Sequence, residues 1–194
     1  MPLLLIIHGH PSGDSMCEAH TDLAQKVGRE KGYDVEILRS FDYPLVGHIM
    51  HNGYHEAYTR PADLISQADK IVITYPMWNF SLPGGLLNFL DGALQARKHF
   101  RYKLIKVLRM GVPIGQLRTK KLITIYTADG PKWYYRLPLL GMDISRKQIK
   151  EIFKMCGISS WKMKCFLLGQ CTHCVPERRT KWLKTLEQKL RKHI

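Results

Sequence analysis

Short apolar runs and helix-spaced apolar positions alternate along this chain. Strands are expected where apolar runs lie between turn residues, at Pro2–His8, Tyr33–Ser40, Lys70–Tyr75, Lys121–Thr127 and Ser160–Leu168. Helices are expected where apolar residues recur at helical spacing, at Ser15–Lys31, Pro61–Gln67, Gly84–Ala96, Ile144–Met155 and Pro176–His193. This alternation predicts an α/β fold, a doubly wound sheet of about five parallel strands with helices on both faces.

The segments between these elements are expected to be loops. Two of them, Tyr43–Arg60 and Gly130–Asp143, are long and irregular, which is typical of loops that carry function. The chain has no internal repeat, low-complexity tract or linker, so residues 1–194 are predicted to form a single domain.

The composition is that of a soluble globular protein, with 45% apolar residues. Five cysteines are an odd number, so at least one has no partner within the chain, which favours a reducing compartment. The apolar run Leu3–Ile7 is too short for a membrane span, and no basic segment precedes it. The sequence therefore predicts a cytoplasmic protein without a membrane span.

The first loop, between the first strand and the first helix, offers a phosphate site. A helix N-terminus presents unpaired N–H groups and a partial positive charge. The Ser15 hydroxyl, the His10 imidazole and the N–H groups of Ser15, Met16 and Cys17 are the candidate ligands. A serine at this position is also an ordinary helix cap, and the loop lacks the glycine patterns of the common nucleotide-binding folds.

The turn after the third strand is the most distinctive segment of the chain. It reads Pro76-Met77-Trp78-Asn79-Phe80-Ser81-Leu82-Pro83. In open α/β sheets, ligands bind where strands end at their carboxyl edge. Flat rings, backbone N–H groups and one side-chain amide suit a planar heterocycle with imide edges; the alternative is an aromatic turn that only covers the core.

Together these segments resemble the flavin-dependent NAD(P)H:quinone oxidoreductase and azoreductase family, whose fold is flavodoxin-like. The segment His10–Ser15 is similar to its phosphate loop, and Pro76–Phe80 is similar to its Pro-Met-aromatic-Asn-Phe turn. Further matches are Thr127 and Gly130 after the fourth strand, and the likeness covers nearly the whole chain.

The resemblance implies a bound flavin, FMN or FAD, with NAD(P)H as electron donor. Two electrons would pass by a ping-pong mechanism to a quinone or to an azo or nitro compound, in a homodimer. The family's cofactor contacts fall on His10, Ser15, Met16, Cys17, Pro76, Met77, Trp78, Asn79, Phe80, Thr127, Ala128, Asp129 and Gly130, and Tyr134 and Tyr135 are the catalytic candidates.

The chain also departs from the family pattern. Cys17 stands where Asn is common, Leu87 where Lys is usual, and no His lies between His99 and His173 to complete a relay with the tyrosines. Asp129 replaces a small residue, and its carboxylate would lower the reduction potential of a flavin if it faces the ring.

The net charge of +14 leaves other partners open. The segment Arg97–Lys121 contains Lys and Arg but no Asp or Glu, and Arg146–Lys192 is also strongly basic. Such a surface is solvated or attracts anionic ligands. The alternative function is a non-enzymatic flavodoxin-like regulatory module that binds a membrane or nucleic-acid partner through this surface, although no known nucleic-acid-binding pattern is present.

Two groups of residues have metal-ligand chemistry. Cys165, Cys171, His173 and Cys174 lie close in sequence and have the residue types of a zinc site, and His48, His51 and His55 have helical spacing. We interpret the first group as ordinary cysteines and the second as part of a mobile loop, and predict no metal.

Overall fold

The computed structural model describes residues 1–46, 53–105, 109–137 and 143–194. The strands are β1 (Leu3–His8), β2 (Asp34–Arg39), β3 (Lys70–Pro76), β4 (Phe100–Ile105), β5 (Met110–Gly115), β6 (Lys121–Thr127) and β7 (Met163–Leu168). The α-helices are α1 (Met16–Glu30), α2 (Thr59–Gln67), α3 (Gly84–Ala93), α4 (Lys132–Arg136), α5 (Ile144–Met155) and α6 (Pro176–His193).

Five strands form one parallel sheet in the order β2-β1-β3-β6-β7. These are the five predicted strands, so the predicted doubly wound architecture is confirmed. The last of them begins at Met163 rather than Ser160, because a single 3₁₀ turn occupies Ser160–Lys162.

The core lies on both faces of this sheet, and β1 shows why its sequence is apolar throughout. On one face, Leu5 and Ile7 pack with buried residues of α2, α3 and α5. On the other face, Leu4 and Ile6 pack with buried residues of α1 and α6. Alternate side chains of a strand point to opposite faces, so a strand covered on both sides needs apolar residues at every position.

Two predicted helices change at one end, and one predicted loop contains a helix. Helix α2 begins at Thr59 rather than Pro61, and α3 ends at Ala93 rather than Ala96 because Leu94 leaves the helical conformation. The predicted irregular segment Gly130–Asp143 contains the short helix α4, and residues 138–142 lie outside the described ranges.

The sequence pattern did not predict β4 and β5, which form a separate antiparallel pair. This β4–β5 hairpin comprises Phe100–Ile105 and Met110–Gly115, and residues 106–108 lie outside the described ranges. At its base, a Cβ on Gly115 would lie 2.0 Å from the carbonyl carbon of Cys156, at the end of α5. Only glycine allows the hairpin to meet α5 this closely.

Candidate functional site

The carboxyl ends of β1, β3 and β6 meet at a cleft of about 590 Å³. The chain leaves β1 to form β2 on one side and then returns to form β3 on the other, which makes this edge the point where the strand order reverses. Open α/β sheets bind their ligands at such a point. The cleft is lined by Asp14, Ser15, Met16, Ala19, Pro76, Met77, Trp78, Thr127, Ala128, Asp129, Cys171, Thr172 and Arg179.

The first loop places Ser15 at the N-terminus of α1, as predicted. Ser15 has an extended backbone conformation, and its hydroxyl oxygen accepts a hydrogen bond of 3.1 Å from the Glu18 N–H. The N–H groups of Met16 and Cys17, at the start of α1, have no partner within the helix and can bind an anion at this end of the cleft.

Of the other predicted residues of this segment, Met16 lines the cleft, whereas His10 and Cys17 do not. The His10 ring turns back into its own loop, where its Nδ1 accepts a hydrogen bond of 3.0 Å from the Ser12 N–H. Cys17 is buried beneath the loop, and burial raises the pKa of its thiol to about 12. The thiol therefore stays protonated and neutral near neutral pH.

The buried side chain of His8 connects the elements on either side of the first loop. The His8 Nδ1 lies 3.0 Å from the Thr21 hydroxyl and 3.3 Å from the Thr74 hydroxyl, which joins β1, α1 and β3. Burial lowers the pKa of His8, so the ring is neutral near neutral pH. Glu18 lies 3.4 Å from the His8 Nε2 and accepts two hydrogen bonds from Arg39, which lowers the pKa of the Glu18 carboxyl.

The aromatic turn after β3 is held by main-chain hydrogen bonds. The Met77 N–H donates to the Thr127 carbonyl at 2.8 Å, and Trp78 and Ser81 exchange two hydrogen bonds of 3.2 and 2.8 Å. Asn79 and Phe80 between them have φ angles of 49° and 63°, the left-handed conformation that a tight hairpin turn requires at both central positions.

Because of this turn geometry, some of the predicted residues line the cleft and others lie outside it. Pro76, Met77 and Trp78 line the cleft, whereas the exposed Asn79 and Phe80 form the tip of the turn and lie outside its lining. The Phe80 carbonyl accepts a hydrogen bond of 2.9 Å from the Ser145 N–H. The predicted contact between the Asn79 amide and the cofactor is therefore not part of the cleft as it stands.

The loop after β6 forms the opposite wall. Ala128 donates its N–H to the Leu168 carbonyl and accepts one from the Cys171 N–H, at 2.9 and 3.0 Å. The Asp129 carboxylate accepts hydrogen bonds from the N–H and the hydroxyl of Thr172, the former at 3.2 Å. Asp129 therefore lines the cleft with its carboxylate bound to the next loop.

The two candidate tyrosines lie behind this wall. Tyr135 is 9% exposed, and its hydroxyl oxygen accepts a hydrogen bond of 2.9 Å from the Gly130 N–H. This contact holds the loop after β6, and neither Gly130 nor Tyr135 is part of the cleft lining. Tyr134 is half-buried, with its ring 5.4 Å from that of Tyr135. A catalytic role for either tyrosine stays a prediction.

Sequence reasoning missed five lining residues: Asp14, Ala19, Cys171, Thr172 and Arg179. Two of them, Cys171 and Thr172, lie in the loop after β7, whose carboxyl end is at the same edge of the sheet. The same rule that selected the first three loops would have selected this one too. Arg179 lines the same cleft as Ser15.

The residues with metal-ligand chemistry do not assemble within the described ranges. No group of three or more His, Cys, Asp or Glu side chains there has the arrangement of a metal site. His55 instead accepts a hydrogen bond from the Ala57 N–H, and His48 and His51 lie outside the described ranges. Among the described helices, none is long and apolar enough to cross a membrane.

The parallel sheet, the strand order and a cleft at the carboxyl edge define a flavodoxin-like protein. Residues 3–194 match the sequence model of the family described as having a flavodoxin-like fold, and this chain belongs to that family.

Curated relatives that match part of the chain are flavoenzymes. An FMN-dependent NADH:quinone oxidoreductase of Brevibacillus brevis is 29% identical over 106 residues, which cover 51% of this chain and 47% of that protein. One from Listeria innocua is 34% identical over 101 residues, 52% of this chain and 45% of that protein. The matched region thus spans about half the length of these relatives.

Solved structures share the fold over almost their whole length. Smu.1420 from Streptococcus mutans superposes with a TM-score of 0.82 at 23% identity, covering 98% of this chain and 99% of that one. An FMN-dependent NADH-azoreductase from Bacillus anthracis, solved in complex with FMN, gives a TM-score of 0.79 at 20% identity, with 98% of both chains covered.

Proposed function

We propose that this protein binds FMN in the cleft and is an NAD(P)H-dependent oxidoreductase. It would pass two electrons to a quinone, or to an azo or nitro compound, by a ping-pong mechanism. The observation that carries the proposal is the way the cleft is built. The start of α1 forms one side, and the loops after β3 and β6, which are held by main-chain hydrogen bonds, form the other sides. The curated relatives, which are named as FMN-dependent NADH:quinone oxidoreductases, support it.

The residues present fit FMN. A volume of about 590 Å³ lies within the range of small-molecule and cofactor sites, about 300–1,000 Å³. The open N–H groups of α1, the Ser15 hydroxyl and the Arg179 guanidinium are the donors a phosphate monoester requires. Met77, Trp78 and Ala128 supply an apolar lining for a flat ring. FMN needs no second pocket for an adenylate, and we therefore favour it over FAD.

The bound flavin would supply the chemistry, accepting a hydride from the nicotinamide and returning two electrons to the acceptor. The chain's residues would bind, orient and shield it. Ser15, Arg179 and the start of α1 would hold the phosphate. The Asp129 carboxylate, bound to Thr172, would place negative charge on the wall of the site and lower the reduction potential of a flavin beside it.

The predicted homodimer and cytoplasmic location remain part of this proposal. The exposed Trp133 stands next to Tyr134 and Tyr135 on α4, where a partner subunit or the acceptor would meet the protein. Sedimentation of the purified chain tests the dimer directly.

The first experiment is an absorption spectrum of the purified protein. A flavin spectrum that bleaches when NADH or NADPH is added without oxygen supports the proposal, and mass analysis of the released cofactor identifies it as FMN or FAD. Protein that stays colourless and inactive after incubation with FMN and FAD overturns it, and then the non-enzymatic regulatory module is the better hypothesis.

Ser15 allows a sharper test. We expect Ser15→Asp to lower FMN affinity by at least about tenfold, because the new carboxylate repels the phosphate. Asp also caps helices well, so the unfolding free energy should hardly change. Ser15→Ala is the matched control, since it removes the hydroxyl without adding charge and should cost about 1 kcal/mol of stability. Equal FMN affinity in Ser15→Asp and the wild type would place the phosphate elsewhere.

A further inference from the structure

The aromatic turn, Trp78–Ser81, has a backbone conformation that its own sequence does not favour. Asn79 and Phe80 have φ angles of 49° and 63°, in the left-handed region. Asn tolerates this region, but a bulky residue rarely adopts it, and an L-residue other than glycine disfavours it by roughly tenfold. Turns of this kind usually have glycine at the second central position, where this chain has Phe80. Such strain persists only where surrounding contacts hold the backbone in place.

Helix α5 supplies these contacts. The Gln148 Oε1 accepts two hydrogen bonds, one of 2.9 Å from the Ser81 hydroxyl and one of 3.1 Å from the Leu82 N–H. The Ser145 N–H, in the first turn of α5, donates to the Phe80 carbonyl. These hydrogen bonds connect α5 to the end of the aromatic turn, and a single side-chain oxygen, that of Gln148, accepts two of them.

The start of α5 is itself fixed to the sheet. The Asp143 carboxylate caps the helix by accepting hydrogen bonds from the Arg146 N–H at 3.1 Å and from the Ser145 hydroxyl at 3.4 Å. The same carboxylate accepts a hydrogen bond of 2.5 Å from the buried Tyr126 hydroxyl. Tyr126 lies in β6, directly before Thr127, which lines the cleft. Because this contact anchors α5 to β6, the helix can hold the aromatic turn in one place relative to the cleft.

We propose that Gln148 is a positioning residue for the ring of the flavin. By holding Asn79 and Phe80 in the left-handed conformation, it would keep Met77 and Trp78 where they line the cleft. This inference rests on the proposed binding of FMN and goes beyond it, because Gln148 does not itself line the cleft. The ring would bind only while the turn has this conformation, so the apparent affinity depends on the fraction of molecules that have it.

Two substitutions of Gln148 test the proposal. Gln148→Leu keeps the volume and the helix propensity but removes the acceptor, whereas Gln148→Glu keeps an acceptor oxygen. We expect Gln148→Leu to lower the affinities for FMN and for riboflavin by the same factor, about fivefold or more, because two hydrogen bonds that hold the turn are lost. Gln148→Glu should stay within about twofold of wild type, since both donors keep a partner. Fluorescence titration with both ligands measures these affinities.

The strain at Phe80 allows a second test. Phe80→Gly and Phe80→Ala both remove the aromatic ring, but only glycine adopts the left-handed conformation readily. If Gln148 acts by holding this conformation, adding Gln148→Leu should lower FMN affinity about fivefold in Phe80→Ala and less than about twofold in Phe80→Gly. Equal losses in the two backgrounds would show that Gln148 does not act through the strained turn.

Amide hydrogen exchange of residues 76–83 measures the hold on the turn without a flavin. The Leu82 N–H donates to Gln148, and it should exchange faster in Gln148→Leu than in the wild type or in Gln148→Glu. The matched control is Gln188→Leu, the same change at an exposed position of α6. It should alter neither the exchange of this segment nor the affinity for flavin.

The outcomes separate this inference from the proposed function. Wild-type protein that binds no flavin overturns both together. If flavin binds, the inference alone fails when folded Gln148→Leu has wild-type affinity, or when its residues 76–83 exchange at the wild-type rate. A loss of affinity for FMN but not for riboflavin would also overturn it, because the effect would then lie at the phosphate. An equal loss in Gln188→Leu would assign the effect to general destabilisation instead.

Discussion

At the residue scale, the cleft includes side chains that a motif predicts and others that only the topology predicts. Ser15, Met77 and Thr127 were predicted because they lie in strand-end segments that resemble the family motifs, and all three line the cleft. Arg179 was not, because it lies in α6 beyond the last predicted strand, where the sequence shows only an amphipathic pattern. Its place in the cleft comes from the tertiary packing of α6 beside α1.

Substitution of Arg179 should weaken the binding of FMN, which has a phosphate, but not that of riboflavin, which lacks one. Replacing Arg179 with Met keeps an apolar stem of similar length but removes the guanidinium. We expect FMN affinity to fall by about tenfold, because charge-assisted hydrogen bonds to phosphate are lost, and riboflavin affinity to stay the same. Fluorescence titration with both ligands measures this, and Lys181→Met on the same helix serves as control. An equal fall for both ligands would contradict a phosphate contact.

Tyr135 has a structural contact that can be separated from its predicted catalytic role. Tyr135→Phe leaves the Gly130 N–H without its partner and should lower the unfolding free energy by about 1 kcal/mol. If the hydroxyl only holds the loop, cofactor affinity falls while the rate of anaerobic flavin reduction by NADH, measured at saturating FMN, stays near wild type. A large fall in that rate with unchanged affinity would instead support catalysis. Tyr134→Phe is the neighbouring comparison.

At the element scale, the strands buried in the sheet were predicted and the hairpin was not. Strands β1, β3 and β6 are apolar on both faces, which makes them visible as continuous runs. In β4, Arg101 and Lys103 interrupt the apolar residues, and β5 contains glycine and proline, which usually argue against a strand. A two-stranded hairpin with little core of its own gives only a weak hydrophobic pattern in the sequence.

The base of the hairpin offers a stability test. Gly115→Ala places a methyl group against the backbone of Cys156 and Gly157, where no side chain can move aside. We expect the unfolding free energy to fall by about 2 kcal/mol or more. Gly111→Ala in the same strand is the matched control, because its nearest neighbour, the Tyr102 ring, lies at an ordinary 3.5 Å. Urea denaturation compares the two, and equal stabilities would show that the hairpin does not press on α5.

At the scale of the whole molecule, burial keeps several histidines neutral. Burial lowers the pKa of His20 to about 3 and that of His99 to about 4, and also lowers that of His8. His20 is completely buried and accepts a hydrogen bond of 2.8 Å from the Trp182 indole, which joins α1 to α6. The folded state accommodates these rings only without their charge.

These histidines predict sensitivity to acid. Their folded pKa values lie below the unfolded value of about 6.5, so below that pH the unfolded chain binds protons that the folded protein does not. Stability should therefore be fully present above about pH 6.5 and fall as the pH decreases towards 4, by up to about 1.4 kcal/mol per pH unit for each histidine. Urea unfolding at pH 7.5 and pH 5 measures the difference. If the difference is smaller in His20→Gln, which retains an acceptor for Trp182, then His20 accounts for part of the loss of stability. Equal stability of the wild-type protein at the two pH values would contradict the prediction.

The walls of the cleft are joined by peptide groups: Met77 to Thr127, and Ala128 to both Leu168 and Cys171. Every amino acid except proline can donate these bonds, and every one can accept them. Substitution along the loops can therefore change the chemistry of the pocket while its outline persists. Proteins that share barely a fifth of their residues with this one can therefore keep the same main-chain frame.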